Sequence, residues 1–143
     1  MPPESALSAS RHWPYLATLP VLPNAGSASA EGRRFVAEHL RRWRVPDLVA
    51  DTAVLLTSEI ITNAVRYGPP PLCLRLGLRA DQVRVEVTDS NPMLPVLARP
   101  GLEAVGGRGM WLIDTLAAAW GCHPDPQGKI VWCELRLPAS DGG

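Results

Sequence analysis

Two segments with alternating hydrophobicity constrain the fold most strongly. Leucines recur at every second position from Leu72 to Leu78, and valines do the same from Val83 to Val87. Because successive side chains of a strand point to opposite faces, each segment predicts a strand with one apolar and one polar face. The connection 80–82 is short enough for an antiparallel hairpin. Such a sheet needs helices on its apolar face only.

Helical periodicity predicts the layer that covers this sheet. Val36, Leu40 and Trp43 recur at helical spacing within 31–43, which indicates a first helix. A second helix is predicted from 46 to 67, and it is apolar around much of its circumference, so it should lie between other elements. The remaining predicted elements are a helix at 108–119 and strands at 15–22, 120–123 and 129–137.

Composition excludes several classes of function. Fourteen basic and fourteen acidic residues cancel, so no net field draws the protein to nucleic acid or to a membrane surface. Three cysteines without metal-ligand spacing indicate reduced, buried thiols. With no signal peptide and no apolar run of about 20 residues, we expect a cytoplasmic protein. The predicted organisation is a loose arm (1–14), one domain (15–138) and a disordered tail (139–143).

The second predicted helix carries two polar residues in its apolar centre. Glu59 and Asn63 are at positions i and i+4, so they project from one face about a turn apart. An unpaired polar group there would cost a few kcal/mol. Two interpretations stay open. In the first, the residues are a satisfied buried pair or make helix-end hydrogen bonds. In the second, the Asn63 oxygen binds Mg²⁺ while the Glu59 carboxylate orients or deprotonates a hydroxyl.

Two further segments have the same ambiguity. Asp89 ends the second strand of the hairpin, where it could cap a turn or accept the exocyclic amine of adenine. The residues 90–107 are rich in proline and glycine and predict a long loop. The loop leads through Gly106–Gly109 into a helix, whose N-terminus could bind phosphate. A conventional glycine turn explains this segment equally well.

The order of these segments carries a resemblance to a known family. The stretches that carry it are Ser58–Gly68, Gly106–Asp114, and Trp120–Gly121 with Gly128–Trp132. Over residues 15–138 the chain resembles the GHKL (Bergerat-fold) ATP-binding domain. Within that superfamily it looks most like the RsbW/SpoIIAB-like anti-sigma-factor serine/threonine kinases of actinobacteria.

The resemblance implies a fold, two cofactors and a set of site residues. The fold would be a two-layer α/β (α+β) sandwich, with helices on one face of a mixed, mainly antiparallel sheet. ATP and Mg²⁺ would be the cofactors, with Glu59 as catalytic base and Asn63 as the magnesium ligand. Asp89 would read adenine. The residues assigned to nucleotide binding are Asn63, Asp89, Gly107, Arg108, Gly109 and Met110.

The same resemblance implies partner proteins, and the chain departs from the family's sequence pattern at three places. An anti-sigma-antagonist (STAS) protein would be phosphorylated on Ser or Thr, and a sigma factor would be regulated. Whether the protein forms a homodimer stays an open question. The family commonly has Asp-x-Gly-x-Gly where this chain has Asp-Ser-Asn-Pro-Met at residues 89–93. In addition, Met110 replaces Leu, and Ile130 replaces a Thr that often holds the nucleotide. The alternatives are therefore a non-catalytic ATP-binding module that sequesters a partner and, third, a plain ATPase.

Overall fold

A computed structural model of the chain describes residues 7, 13–22, 26–67, 73–90 and 107–139. Within these ranges, three helices and five strands form two layers. In chain order the elements are β1 (Tyr15–Leu19), α1 (Ala28–Arg42), α2 (Asp47–Tyr67), β2 (Cys73–Arg79), β3 (Gln82–Asp89), α3 (Gly107–Leu116), β4 (Ala119–Asp125) and β5 (Gly128–Arg136). The predicted α+β sandwich is confirmed.

The strands form one sheet in the order β1-β2-β3-β5-β4. All four pairings between the described strands are antiparallel, so the prediction of a mainly antiparallel sheet is confirmed. The predicted hairpin is β2–β3, in which Leu76 pairs with Val85. Strand β1 ends at Leu19, three residues before the predicted end, because Pro20 has no N–H to donate to the ladder.

The hydrophobic core lies between the inner face of the sheet and the three helices. Burying each large apolar side chain contributes roughly 1.5–3 kcal/mol. The most deeply buried members include Leu40 on α1, Leu56, Ile60 and Ile61 on α2, Leu74 and Leu76 on β2, Val83 and Val87 on β3, and Met110 and Ile113 on α3. The alternating strands and the periodic helices therefore meet as the sequence predicts.

Helix α2 is the central helix of the sandwich. By length and composition, its residues 47–66 would also pass for a membrane-spanning segment, although no such run was expected from the sequence. However, α2 packs against α1, α3, β3 and β5, and it carries the acidic residues Asp51 and Glu59. Its apolar character is explained by burial between the helices and the sheet.

Helix α1 covers one flank of α2. Gly32 allows close approach, since a Cβ at this position would overlap Ile61 Cδ1. Two side-chain hydrogen bonds join the same surfaces. Arg33 Nη1 donates to Ser58 Oγ at 3.0 Å, and the hydroxyls of Ser29 and Thr62 share a hydrogen bond of 2.9 Å. Residues 58, 61 and 62 therefore define the α1-facing flank of α2.

The outer face of the sheet, away from the helices, carries a buried polar cluster. Arg84 donates to Glu86 at 2.7 Å and to Glu134 at 2.6 Å, and its guanidinium lies 4.1 Å from the ring centre of Trp132. The Arg84 and Glu86 side chains are 7% and 1% exposed. The face that the sequence predicted to be polar is therefore polar and largely covered.

Two residues of the predicted N-terminal arm lie on this outer face. Leu7 and Trp13 are buried and lie against Gly77, where a Cβ would come within 2.5 Å of Leu7 and 2.9 Å of Trp13. The Arg79 guanidinium stacks on the Trp13 ring at 4.5 Å. These two residues are thus anchored to the sheet. The predicted domain boundaries stay a prediction, because the rest of the arm and residues 140–143 lie outside the described residues.

Candidate functional site

Glu59 and Asn63 lie on the flank of α2 that α1 leaves uncovered. At 3.6 residues per turn, both positions are roughly 160° around the helix from Ile61, which contacts Gly32 of α1. Both residues are half-buried. Because α2 also packs against α3 and β3, this flank faces the space that α3 and the sheet border.

The polar atoms of these two residues are available to a ligand. Asn63 Nδ2 is buried and has no hydrogen-bond partner among the described residues. Rotation of the amide by 180° would present its oxygen in the same place. Within the same described ranges, the Glu59 carboxylate makes no hydrogen bond or ion pair. Of the two interpretations of the sequence, a satisfied Glu59–Asn63 pair is wrong.

Asp89 ends β3 on the inner face of the sheet. It has the same parity as Val87, which belongs to the core between sheet and helices. The Asp89 carboxylate accepts a hydrogen bond of 2.9 Å from Lys129 Nζ on β5, and the two side chains are 1% and 6% exposed. Asp89 is therefore a buried carboxylate with an ion-pair partner. A residue that only caps a turn at the surface would be exposed to solvent.

Gly128 brings β5 against the end of β3. Its φ is +153°, a conformation that side-chain-bearing residues rarely adopt. A Cβ at this position would also overlap the carbonyl oxygen of Asp89 and come within 2.8 Å of Ser90 Cα. The residue at 128 must be glycine for Lys129 to lie directly across from Asp89.

Chain connectivity brings the α2 residues and Asp89 to the same end of the sandwich. Asn63 is near the C-terminal end of α2, and only residues 68–72 separate α2 from the start of β2. That start pairs with the end of β3, since Cys73 is the register partner of Thr88. Asn63, Glu59 and Asp89 are thus grouped at one edge of the inner layer.

Helix α3 begins at Gly107 and brings its N-terminus to the same inner layer, where α3 packs against α2 and β4. A helix N-terminus offers unpaired N–H groups and the positive end of a dipole. The side chains of 107–109, including Arg108, and the predicted long loop lie outside the described residues. The Met110 side chain is buried in the core. Its assignment to nucleotide binding therefore concerns its backbone.

Lys129 is a candidate site residue that the sequence analysis missed, since it contacts Asp89. The apolar residues Val131, Cys133 and Leu135 mark the inner face of β5, so counting back by two assigns Lys129 to that face. Ile130 is instead the register partner of Thr88 and alternates to the outer face. The concern about a missing Thr hydroxyl at Ile130 is thus wrong in position, because the residue across from Asp89 is Lys129.

The cysteines are free thiols of unequal burial. Cys133 is fully buried, whereas Cys73 and Cys122 are intermediate, so the expectation of buried thiols holds fully for Cys133 alone. Burial raises the pKa of Cys133 to about 12. Burial also raises the pKa of Cys122 to about 11, with Lys129 lowering it and Asp89 raising it. Cys122 is therefore a neighbour of the Asp89–Lys129 pair.

The family is decided by comparison with known protein families. Residues 22–135 match the family described as the histidine kinase-like ATPase domain. The chain belongs to this family. A comparison with curated protein sequences finds no match. Family membership implies that this domain binds ATP.

Two solved structures are similar to the fold. One contains the RsbU and RsbW domains of Rv1364c from Mycobacterium tuberculosis, with a TM-score of 0.67 and 16% identity over 88% of this chain and 33% of that chain. The other is the histidine kinase domain of the blue-light activated histidine kinase EL346 from Erythrobacter litoralis, with a TM-score of 0.50 and 22% identity over 79% of this chain and 61% of that chain. The chain therefore spans about a third of the first structure.

The residues at the site fit ATP with Mg²⁺. Mg²⁺ prefers one or two protein oxygens together with substrate phosphates, and the Asn63 amide supplies one such group. The described residues contain no cluster of three or more His, Cys, Asp or Glu side chains that could hold a metal by themselves. A metal at this site would therefore depend on nucleotide phosphates for most of its ligands.

Proposed function

We propose that this protein is an ATP- and Mg²⁺-dependent protein serine/threonine kinase of the anti-sigma-factor type. It phosphorylates an anti-sigma-antagonist protein of the STAS class in the cytoplasm and thereby regulates a sigma factor. The observation that carries the proposal is the pair of available groups on the free flank of α2, the Asn63 amide and the Glu59 carboxylate. A protein that only binds ATP has no need of a carboxylate at that position.

Each nucleotide-binding role belongs to a different element. Asn63 on α2 would hold Mg²⁺ through its amide oxygen, and the start of α3 at Gly107 would bind phosphates through backbone N–H groups. Gly109 keeps that first turn open to close approach. Asp89 on β3 accepts the exocyclic amine of adenine. When bound, ATP with Mg²⁺ supplies the transferable phosphoryl group and neutralises part of its charge.

Glu59 performs the proton transfer. It is one helical turn before Asn63 on the same flank, so it is beside the metal ligand. Its carboxylate accepts the proton of the acceptor Ser or Thr hydroxyl as the new oxygen–phosphorus bond forms. The bond from the γ-phosphorus to the bridging oxygen breaks, and ADP leaves with that electron pair. The products are ADP, the phosphorylated acceptor and protonated Glu59.

One of the similar solved structures supports our choice of protein partner. The structure with the higher TM-score contains an RsbW domain beside an RsbU domain in one protein. At 16% identity this likeness concerns the fold, so the STAS acceptor and the sigma factor are part of our proposal.

Phosphate transfer to a protein acceptor tests the proposal. Proteins that co-purify with the chain would be incubated with it, Mg²⁺ and ATP labelled at the γ-phosphate, and the labelled residue identified by mass spectrometry. We expect label on Ser or Thr of one acceptor, with ADP as co-product. ATP binding without labelled protein would assign a non-catalytic binding module. Release of ADP and inorganic phosphate without an acceptor would assign a plain ATPase.

A further inference from the structure

The pair formed by Lys129 and Asp89 is one of two strongly buried ion pairs among the described residues. Lys129 Nζ lies 2.9 Å from Asp89 Oδ1, and the side chains are 6% and 1% exposed. Removing two charges from water costs several kcal/mol for each ion before their attraction is counted. A pair with that cost at the adenine-reading acid points to a role beyond stability.

The charged surroundings of Asp89 make Lys129 its main electrostatic partner. On β4 the nearest titratable group is the Cys122 thiol, which burial keeps protonated at neutral pH by raising its pKa to about 11. From α2, which packs on β3 and β5, the free flank contributes Glu59, whose charge repels a carboxylate. The Arg84 cluster is on the opposite face of the sheet. Among the described residues, Lys129 is thus a cation in direct contact with Asp89 that offsets its negative charge.

We propose that Lys129 is a specificity-determining positioning residue, which holds Asp89 as an oriented carboxylate so that the site accepts adenine and rejects a base carrying a carbonyl oxygen at the same place. This inference rests on the proposed ATP site and names the feature that selects its substrate. Lys129 acts through Asp89. The acid is the group that contacts the base.

The physical basis is that a carboxylate accepts hydrogen bonds and donates none. The exocyclic amine of adenine donates, and the O6 oxygen of hypoxanthine accepts. The hydrogen bond of 2.9 Å from Lys129 Nζ holds the Asp89 carboxylate in one orientation. Without Lys129 that orientation would be lost, and the site would discriminate less between the two bases.

Base selectivity measures this role directly. The dissociation constants of ATP and inosine triphosphate (ITP) would be compared by calorimetry in the same Mg²⁺ buffer. We expect the wild type to bind ATP more tightly than ITP. In Lys129→Met the ratio of the two affinities should fall about tenfold. Lys129→Arg keeps the positive charge, so it should retain the preference. Asp89→Asn carries both a donor and an acceptor, so it should match Lys129→Met.

A matched control separates selectivity from stability. Arg84→Met also removes the cation of a buried ion pair, on the outer face of the same sheet. We expect it to lower the melting temperature, as Lys129→Met does, but to leave the ratio of ATP to ITP affinity at the wild-type value. An equal loss of selectivity in Arg84→Met would overturn the proposal, since general loosening of the sheet would then explain the effect.

The double variant keeps the proposal testable if Lys129→Met does not fold. Lys129→Met with Asp89→Asn removes both charges together and leaves no uncompensated buried ion. Its ATP-to-ITP ratio should equal that of Asp89→Asn alone. A different ratio would mean that Lys129 contacts the base itself, which contradicts the proposal.

The outcomes distinguish this inference from the proposed function. Wild type that binds neither nucleotide overturns the ATP site and the role of Lys129 together. Wild type that prefers ATP, with Lys129→Met unchanged in selectivity, overturns the role of Lys129 alone.

Discussion

Trp120 Nε1 donates a hydrogen bond of 2.8 Å to Asp114 Oδ1. The bond joins α3 to β4, and its two residues come from two of the separate sequence stretches that carry the family resemblance. Helix α3 is short, and its N-terminus at Gly107 is the part that we assign to phosphate binding. The Trp120–Asp114 bond therefore ties the C-terminal half of α3 to β4, and the opposite end of α3 is the one that we propose for phosphate binding.

Trp120→Phe should loosen α3 with a small cost in stability. A side-chain hydrogen bond of this kind contributes about 0.5–1.5 kcal/mol, and we expect a loss at the low end because the bond is exposed. Urea denaturation measures the free energy of unfolding, and calorimetry measures ATP affinity. Trp111→Phe is the matched control on α3, since the indole of Trp111 is 39% exposed and makes no hydrogen bond with the described residues. Equal effects of the two variants would contradict the anchoring role.

Glu59→Gln should separate catalysis from binding. The amide keeps the shape of the side chain but cannot take the acceptor proton, so the rate of phosphate transfer should fall about 10²–10⁴-fold. ATP affinity should stay within about threefold of wild type, because the interaction is needed only in the transition state. Asp51→Asn, at an exposed position of the same helix, should change neither quantity. Parallel loss of transfer and affinity in Glu59→Gln would make Glu59 structural.

Gly128→Ala should disturb the end of β3. A Cβ at 128 would overlap the Asp89 carbonyl oxygen, and the φ of +153° is unfavourable for alanine. We expect a loss of more than about 1 kcal/mol in the free energy of unfolding, together with weaker ATP binding because Asp89 and Lys129 must shift. Thermal denaturation and calorimetry measure the two effects. Wild-type stability in this variant would contradict the close approach of β5 to Asp89.

The parts of the fold with local signals were predictable from the sequence. The period of two in β2 and β3 and the apolar circumference of α2 each lie within one segment, so the hairpin and the central helix follow from local pattern. The pairing of Asp89 with Lys129 depends on the register of two strands whose residues are 40 positions apart. That register also decides that Lys129, and not Ile130, faces the site.

Other features depend on long-range contacts that no local pattern records. Leu7 and Trp13 lie in a segment without hydrophobic periodicity, yet both are buried on the outer face of the sheet. The Arg84 cluster joins β3 to β5 through Glu134. The sequence of each strand by itself predicts only that one of its faces is polar. The candidate site residues Glu59, Asn63 and Asp89 could be named from the sequence because the resemblance assigned them. Spacing alone left two interpretations open.

The buried thiol of Cys133 predicts a loss of stability in alkaline solution. Burial raises its pKa from 9.0 to about 12, so between these values the folded protein keeps a proton that the unfolded chain loses. Its contribution to stability is present below pH 9 and declines as the pH rises toward 12, at up to about 1.4 kcal/mol per pH unit. Cys133→Ala should remove this part of the slope. Urea denaturation at pH 8 to 10.5 compares the two, and identical slopes would contradict the burial of the thiol.

Titration of the wild-type protein with ATP, with Mg²⁺ and then with EDTA in its place, tests the central claim most directly. We predict that calorimetry detects one ATP site whose affinity falls about tenfold or more without the metal. Asn63→Ala should bind ATP equally in both buffers, at the metal-free affinity of wild type. Thr62→Ala, on the α1-facing flank of the same helix, should keep the metal dependence. Absence of ATP binding, or ATP affinity that is the same with and without Mg²⁺, would contradict the account.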